Sequence, residues 1–226
     1  MRLIVDSADT EKIRKMFEYY PVSGVTTNPT ILTKSGKKPY EVLREIRGII
    51  GPETDLHVQT LGEDADEIVH EATVIKRMLG EETFVKIPVT REGIKAIRIC
   101  AKRFGHITGT AVYSTAQAYL AAEAGADYIA PYVNRIDNLS QNGVEVTKKI
   151  QNILGQYAGK TRMLAASFRN VHQVIELAEY GVYSATVDPD IIERMLTNDS
   201  VDAAIAKFSA DMTSAYGEQM VMTHTD

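Results

Sequence analysis

Short apolar runs alternate with longer amphipathic ones along the whole chain. The apolar runs fall at Leu3–Asp6, Val22–Thr26, Leu56–Gln59, Thr83–Pro88, Ile107–Ala111, Tyr128–Pro131, Arg162–Ala166 and Tyr183–Thr186. Their lengths and apolar character predict strands buried on both faces. After each comes a stretch in which apolar residues return every three or four positions. These stretches are Thr10–Tyr19, Tyr40–Ile50, Asp64–Leu79, Arg91–Arg103, Ser114–Glu123, Asn142–Tyr157, Val171–Glu179 and Val201–Tyr216, and they predict helices. Strand then helix, repeated to the end of a 226-residue chain, implies βαβ units and a parallel sheet. The compact solution is a single-domain α/β fold, the (β/α)8 TIM barrel. An open doubly wound sheet is the alternative, and it would carry a glycine-rich phosphate turn after a strand. No such turn follows any strand, and the first runs into Asp6-Ser7-Ala8-Asp9.

Several element ends have local causes. Thr90, followed by Glu92 and Gly93, opens a helix that Pro88 prevents from extending backwards. Gly125 and Gly181 each close a helix. Val201, Ile205, Phe208 and Met212 recur at helical offsets, giving the last helix one apolar stripe suited to packing. Residues 1–216 are therefore assigned to one barrel domain with its C-terminal helix, and 217–226 to a frayed tail.

Composition narrows the class. Hydrophobic residues make up 44% and charged residues 24%, as in ordinary globular proteins. The net charge is −5 without a basic run, which argues against nucleic acid as a partner. No apolar stretch approaches the roughly 20 residues needed to cross a bilayer, and the apolar start is too short for a secretion signal. Cys100 is the single cysteine. It permits no internal disulfide and fits a reducing, cytoplasmic setting. Within its helical run it reads as a core residue. The five histidines show no metal-ligand spacing, so no metal cofactor is expected.

The chemistry points to one residue first. Lys86 sits inside the strand Phe84-Val85-Lys86-Ile87-Pro88. An ammonium held dry and unpaired there would cost several kcal/mol. Burial lowers its pKa, and a neutral amine attacks carbonyls to form Schiff bases. An edge-strand lysine reaching water is the alternative. In such a barrel, chemistry gathers at the carboxyl ends of the strands. Those ends carry Asp6, then Thr26, Thr27 and Asn28, then Gln59, Lys86, Thr110, Tyr132 with Arg135, Ser167 with Arg169, and Asp188. Each has a structural alternative. Asp6 can cap a helix, Gln59 can satisfy backbone groups, and Asn28-Pro29 is a turn signal. Thr110 suits any strand, and Tyr132 can be packing.

The segments GVTTNPTI (Gly24–Ile31), VKIPVT (Val85–Thr90), GTAVYS (Gly109–Ser114), APYVNR (Ala130–Arg135) and AASF (Ala165–Phe168) together resemble the small transaldolase family, most closely its fructose-6-phosphate aldolase branch. The resemblance covers nearly the whole chain. It implies a (β/α)8 barrel with a metal-free, cofactor-free Schiff-base mechanism acting on sugar phosphates and dihydroxyacetone-type ketones. It also implies a homo-decamer of two pentamer rings, in which the C-terminal helix packs on a neighbouring subunit. Lys86 matches the Schiff-base lysine, and Asp6 the acid beside the substrate hydroxyls. Gln59, Thr110 and Tyr132 match the holders of a catalytic water. Asn28 and Thr26 match the donor-binding region, and Arg135 with Ser167 the phosphate-binding pair.

Two positions separate branches of the resembled family. Classical transaldolases carry a glutamate where this chain has Gln59, and small transaldolases commonly carry phenylalanine where it has Tyr132. A glutamine cannot act as a general base, so Tyr132 working through water takes that part. This favours aldol cleavage of fructose 6-phosphate, with dihydroxyacetone transfer by a transaldolase as the alternative. His57 and Thr108 depart from the aromatic and leucine expected in the resembled pocket, which bears on donor preference.

Overall fold

The computed structural model describes residues 1–157, 160–217 and 222. Most of the 217–226 tail therefore lies outside the described residues. Eight parallel strands close into a barrel in sequence order. They are β1 (Arg2–Asp6), β2 (Val22–Thr26), β3 (Asp55–Gln59), β4 (Phe84–Pro88), β5 (Ile107–Val112), β6 (Tyr128–Pro131), β7 (Arg162–Ala165) and β8 (Ser184–Val187). The helices are α1 (Thr10–Tyr19), α2 (Pro29–Thr33), α3 (Pro39–Ile50), α4 (Ala65–Leu79), α5 (Arg91–Arg103), α6 (Thr115–Glu123), α7 (Val133–Asp137), α8 (Gly143–Leu154), α9 (Val171–Tyr180), α10 (Pro189–Arg194) and α11 (Asp199–Tyr216). Every expected strand and helix is present, with ends shifted by a residue or two at most of them. Three short helices, α2, α7 and α10, were not expected. Each follows a strand directly and is too short to show helical periodicity.

Met1–Ile192 form one compact unit containing all eight strands, and Glu193–Asp226 form a second that contains α11. Within the second, the Asn198 side chain caps α11 by accepting from the Ser200 N–H. Among the described residues no helix is long and apolar enough to cross a membrane.

The barrel interior is layered by strand alternation, since every second residue points inward. Near the amino ends, Arg2 pairs with Asp55 at 2.9 Å and donates to the Tyr128 hydroxyl at 3.2 Å. Above lies an apolar layer of Ile4, Phe84, Tyr128, Ala130 and Leu164. Two residues further along their strands, Ile4, Phe84 and Ala130 give way to Asp6, Lys86 and Tyr132. An apolar plug thus lies directly under the polar layer. Outside the strands, helices bury apolar faces such as Val42, Leu43 and Ile46 of α3, and Ala96, Ile97 and Cys100 of α5. Burial pushes the Cys100 thiol up to about 11, which leaves it protonated and unreactive at neutral pH.

The turn that leads away from Lys86 is tightly packed. Pro88 ends β4, and the Thr90 side chain caps α5 by accepting from the Gly93 N–H at 3.0 Å. A methyl group on Gly93 would sit 1.9 Å from the Pro88 carbonyl oxygen. Gly48, on the exposed face of α3, has nothing within 4 Å of the equivalent position. The two helical glycines should therefore respond oppositely to alanine. Gly93→Ala should destabilise by about 1–3 kcal/mol through overpacking. Gly48→Ala should stabilise by about 0.5–1 kcal/mol through helix propensity. Urea midpoints of the two variants check this, and a shared sign would contradict the packing described.

Candidate active site

Lys86 lies on β4 in register with Gln59 on β3 and Thr108 on β5. It is 4% exposed. Its Nζ donates to the main-chain carbonyl of Thr27 at 2.8 Å, and among the described residues it forms no ion pair. Burial lowers its pKa from the ordinary lysine value; Asp6 opposes that shift and Arg135 adds to it.

Asp6 ends β1 beside Thr26 on β2. Its carboxylate accepts from the Thr26 hydroxyl at 2.6 Å. The same hydroxyl lies 2.6 Å from that of Thr186 on β8. Burial raises the Asp6 pKa. Lys86, the Thr26 hydrogen bond and Arg135 oppose the rise, and Asp188 reinforces it. A cleft of about 540 Å³ opens at this end of the barrel, walled by Asp6, Lys34, Ser35, Val42 and Asp188.

Across the barrel, the Thr110 and Tyr132 hydroxyls are 3.0 Å apart and both residues are buried. Local backbone aims Thr110: the β5–β6 register shifts between Gly109 and Val112, and Ala111 has φ 54°. A bulge of this kind redirects a side chain at a barrel rim. Tyr132 is held from two sides. The Arg135 guanidinium lies 4.6 Å from its ring centroid, and Tyr113 packs edge-on at 5.7 Å. The Gln59 side-chain oxygen Oε1 is buried without a hydrogen-bond partner among the described residues.

Arg135 is exposed on α7 and forms no ion pair among the described residues. Its loop is stitched to the one carrying Ser167. Val133 N–H donates to the Ala166 carbonyl at 2.9 Å and Asn134 N–H to the Ser167 carbonyl at 2.8 Å. Ser167 has φ 61°, a left-handed conformation uncommon outside glycine. A guanidinium on α7 and a hydroxyl on the adjoining loop suit an anion such as phosphate.

The family model described as transaldolase/fructose-6-phosphate aldolase matches residues 3–225. The chain belongs to this family. It is 36% identical over 212 residues to a probable fructose-6-phosphate aldolase of Streptococcus pneumoniae (strain ATCC 700669 / Spain 23F-1), covering 93% of this chain and 96% of that protein.

The structure brings some of the sequence-selected residues into direct contact and leaves others apart. Asp6 with Thr26, Thr110 with Tyr132, and Tyr132 with Arg135 are in contact. Asn28 spends its Oδ1 as the N-cap of α2, accepting from Ile31 N–H at 3.0 Å, which leaves its amide NH2 for other partners. His57 and Thr108 are joined to each other, with Nδ1 and Oγ1 2.9 Å apart. They lie one inward position nearer the amino ends than Gln59 and Thr110. His57 stacks on Phe84, and its Nε2 is buried without a hydrogen-bond partner among the described residues. Burial first, then Lys86, Arg2 and His106, hold its pKa well below the ordinary histidine value.

Two groups in contact with these residues were not singled out. One is the Thr27 carbonyl, invisible to side-chain reading. The other is Thr186, which shares an inward face with Ser184 and Asp188 and could have been found by period-two spacing.

The lysine shift has a signed consequence for stability. The folded-state pKa lies below the unfolded value of 10.5. Between those two values the unfolded chain binds more protons, so this residue makes stability rise with pH up to about 10.5. Each unit of depression corresponds to about 1.4 kcal/mol. The stability of wild type relative to Lys86→Met should therefore climb from the folded-state pKa of Lys86 toward 10.5 and then level off. Urea unfolding across that range checks it, and a flat difference would mean an amine with ordinary basicity.

Proposed function

We propose that this chain is a Schiff-base aldolase that reversibly cleaves fructose 6-phosphate to dihydroxyacetone and glyceraldehyde 3-phosphate, without metal or cofactor. The observation that carries the reading is the Lys86 amine, almost wholly buried at the carboxyl end of a barrel strand with its pKa lowered. Only an unprotonated amine has the lone pair that attacks a ketone.

The chemistry runs as follows. The Lys86 nitrogen bonds to C2 of the ketose, and the carbinolamine loses water to give an iminium. The C3–C4 bond then breaks, its electrons moving toward the iminium to form an enamine. The C4 hydroxyl loses its proton as C4 becomes the aldehyde carbon of glyceraldehyde 3-phosphate. Gln59 presents an amide, so the proton leaves through a water attended by the Thr110–Tyr132 hydroxyl pair. The enamine takes a proton at C3, and hydrolysis of the resulting iminium frees dihydroxyacetone and the amine. Asp6 orients the donor hydroxyls and exchanges protons during carbinolamine breakdown. Arg135 and Ser167 bind the phosphate. Asn28, through its free NH2, and Thr26, through Asp6, complete the donor side.

Tyr132 favours the lyase over the transferase. A phenol close to the enamine promotes its protonation, so the ketone leaves before a second aldehyde arrives. The same reading has the chain acting in the cytoplasm as a homo-oligomer, with the apolar stripe of α11 supplying a subunit contact.

Fructose 6-phosphate supplied alone should yield free dihydroxyacetone, and borohydride should trap an adduct on Lys86. Lys86→Ala should lose the adduct and at least roughly a thousand-fold in turnover. Tyr132→Phe should slow the C3–C4 cleavage that release and transfer share, and should cut ketone release further, by about a hundred-fold, so that release falls relative to transfer to an added aldose phosphate. Turnover only with an added acceptor would make the protein a transaldolase. An active Lys86→Ala enzyme would overturn the mechanism.

A further inference from the structure

We propose that Thr186 is a positioning residue for Asp6, acting through the Thr26 hydroxyl to hold the carboxyl in its ionised form. The proposal deepens the aldolase reading and rests on it for the part Asp6 plays in turnover. The three groups form a chain in space across three strands. Thr186 on β8 and Thr26 on β2 flank β1, and their hydroxyls meet at 2.6 Å. Thr26 in turn lies 2.6 Å from Asp6 Oδ1. Thr26 is fully buried and Thr186 is 2% exposed, so water does not compete for either hydroxyl.

Counting protons gives the chain a direction. Two contacts need two protons, and a hydroxyl has one to donate. With Asp6 ionised, Thr186 donates to Thr26 and Thr26 donates to Asp6. Every proton is used and every arrow points at the carboxylate. With Asp6 protonated, its own proton can face the cleft that Asp6 walls, and Thr26 then donates to a neutral oxygen; a hydrogen bond to a charged acceptor is the stronger one, so the chain favours the ionised form. Hydrogen bonds in series also polarise one another, so the Thr186 bond strengthens the one Thr26 makes to Asp6. A hydrogen bond to the charged form favours that form. Thr186 thus opposes the burial that drives Asp6 toward neutrality.

The other groups acting on Asp6 come from separate elements. Lys86 on β4 and Arg135 on α7 favour the carboxylate, and Asp188 after β8 disfavours it. None of these is altered by removing the Thr186 hydroxyl. Valine replaces threonine at nearly the same volume, so Thr186→Val isolates the hydroxyl. Thr186→Ala removes it without any risk of overpacking, and Thr186→Ser keeps it.

The test follows the carboxyl itself. Asp6 is observed by 13C NMR in aspartate-labelled protein, its resonance assigned with Asp6→Asn. Thr186→Val and Thr186→Ala should each raise the Asp6 pKa by about half a unit to one unit, and Thr186→Ser should leave it near wild type. The acid limb of kcat/KM with fructose 6-phosphate should move upward by the same amount in the first two variants. An unmoved Asp6 pKa in both hydroxyl-free variants overturns the proposal, as does a serine variant that shifts as far as valine. If the wild-type enzyme forms no borohydride adduct, the aldolase reading fails by itself, while the carboxyl titration still decides the wiring.

Discussion

The site depends on keeping an amine dry. Moving a charged group from water into a protein interior costs several kcal/mol even after relaxation, and Lys86 is almost entirely enclosed. What it is given in return is one carbonyl acceptor from Thr27 and the through-space field of Asp6. That is less than a charged lysine finds in water, so the amine is biased toward its neutral, nucleophilic form. Asp6 is driven the opposite way, toward its protonated form. Burial therefore narrows the gap between an acid and a base that are far apart in water.

The barrel builds this environment in layers. Strand alternation sets Ile4 under Asp6 and Phe84 under Lys86, so the apolar layer that fills the barrel is also the floor that excludes water. The candidate catalytic residues Asp6, Gln59, Lys86 and Thr110 stand on strands, where backbone pairing to two neighbours fixes them, and Tyr132 lies just past the end of β6. Of the phosphate-binding candidates, Arg135 stands on α7 and Ser167 on the loop after β7, and there main-chain hydrogen bonds between the β6 and β7 ends substitute for strand pairing. A left-handed Ser167 and a bulge at Ala111 mark the places where regular geometry gives way to aim a side chain. Such local strain is tolerated where surrounding structure over-determines it.

His57 and Thr108 add a polar pair inside the otherwise apolar floor. The imidazole is kept neutral by burial and by nearby cations, and it stacks flat on Phe84 as an aromatic ring would. A histidine in place of an aromatic is thereby accommodated without a charge beneath the lysine. The departure from the resembled pocket is thus met by pairing the two unusual residues with each other.

The alternation of apolar and amphipathic runs determined eight βα units and a parallel sheet, because period-two and helical patterns are properties of the chain itself and survive without knowledge of neighbours. It also placed Asp6, Gln59, Lys86, Thr110 and Tyr132 at strand ends, since strand direction follows from the βαβ order. Short helices such as α2 and α7 stayed hidden because five residues span little more than one helical turn. Tertiary structure alone decided which strand-end groups touch. Asn28 turned out to spend its oxygen on a helix cap, the Thr27 backbone rather than any side chain received the lysine, and Thr186 joined Thr26 from a strand at the other end of the sequence. Contacts of that kind arise from barrel closure, which sets β8 against β1, and no pattern local to either strand encodes the distance between them.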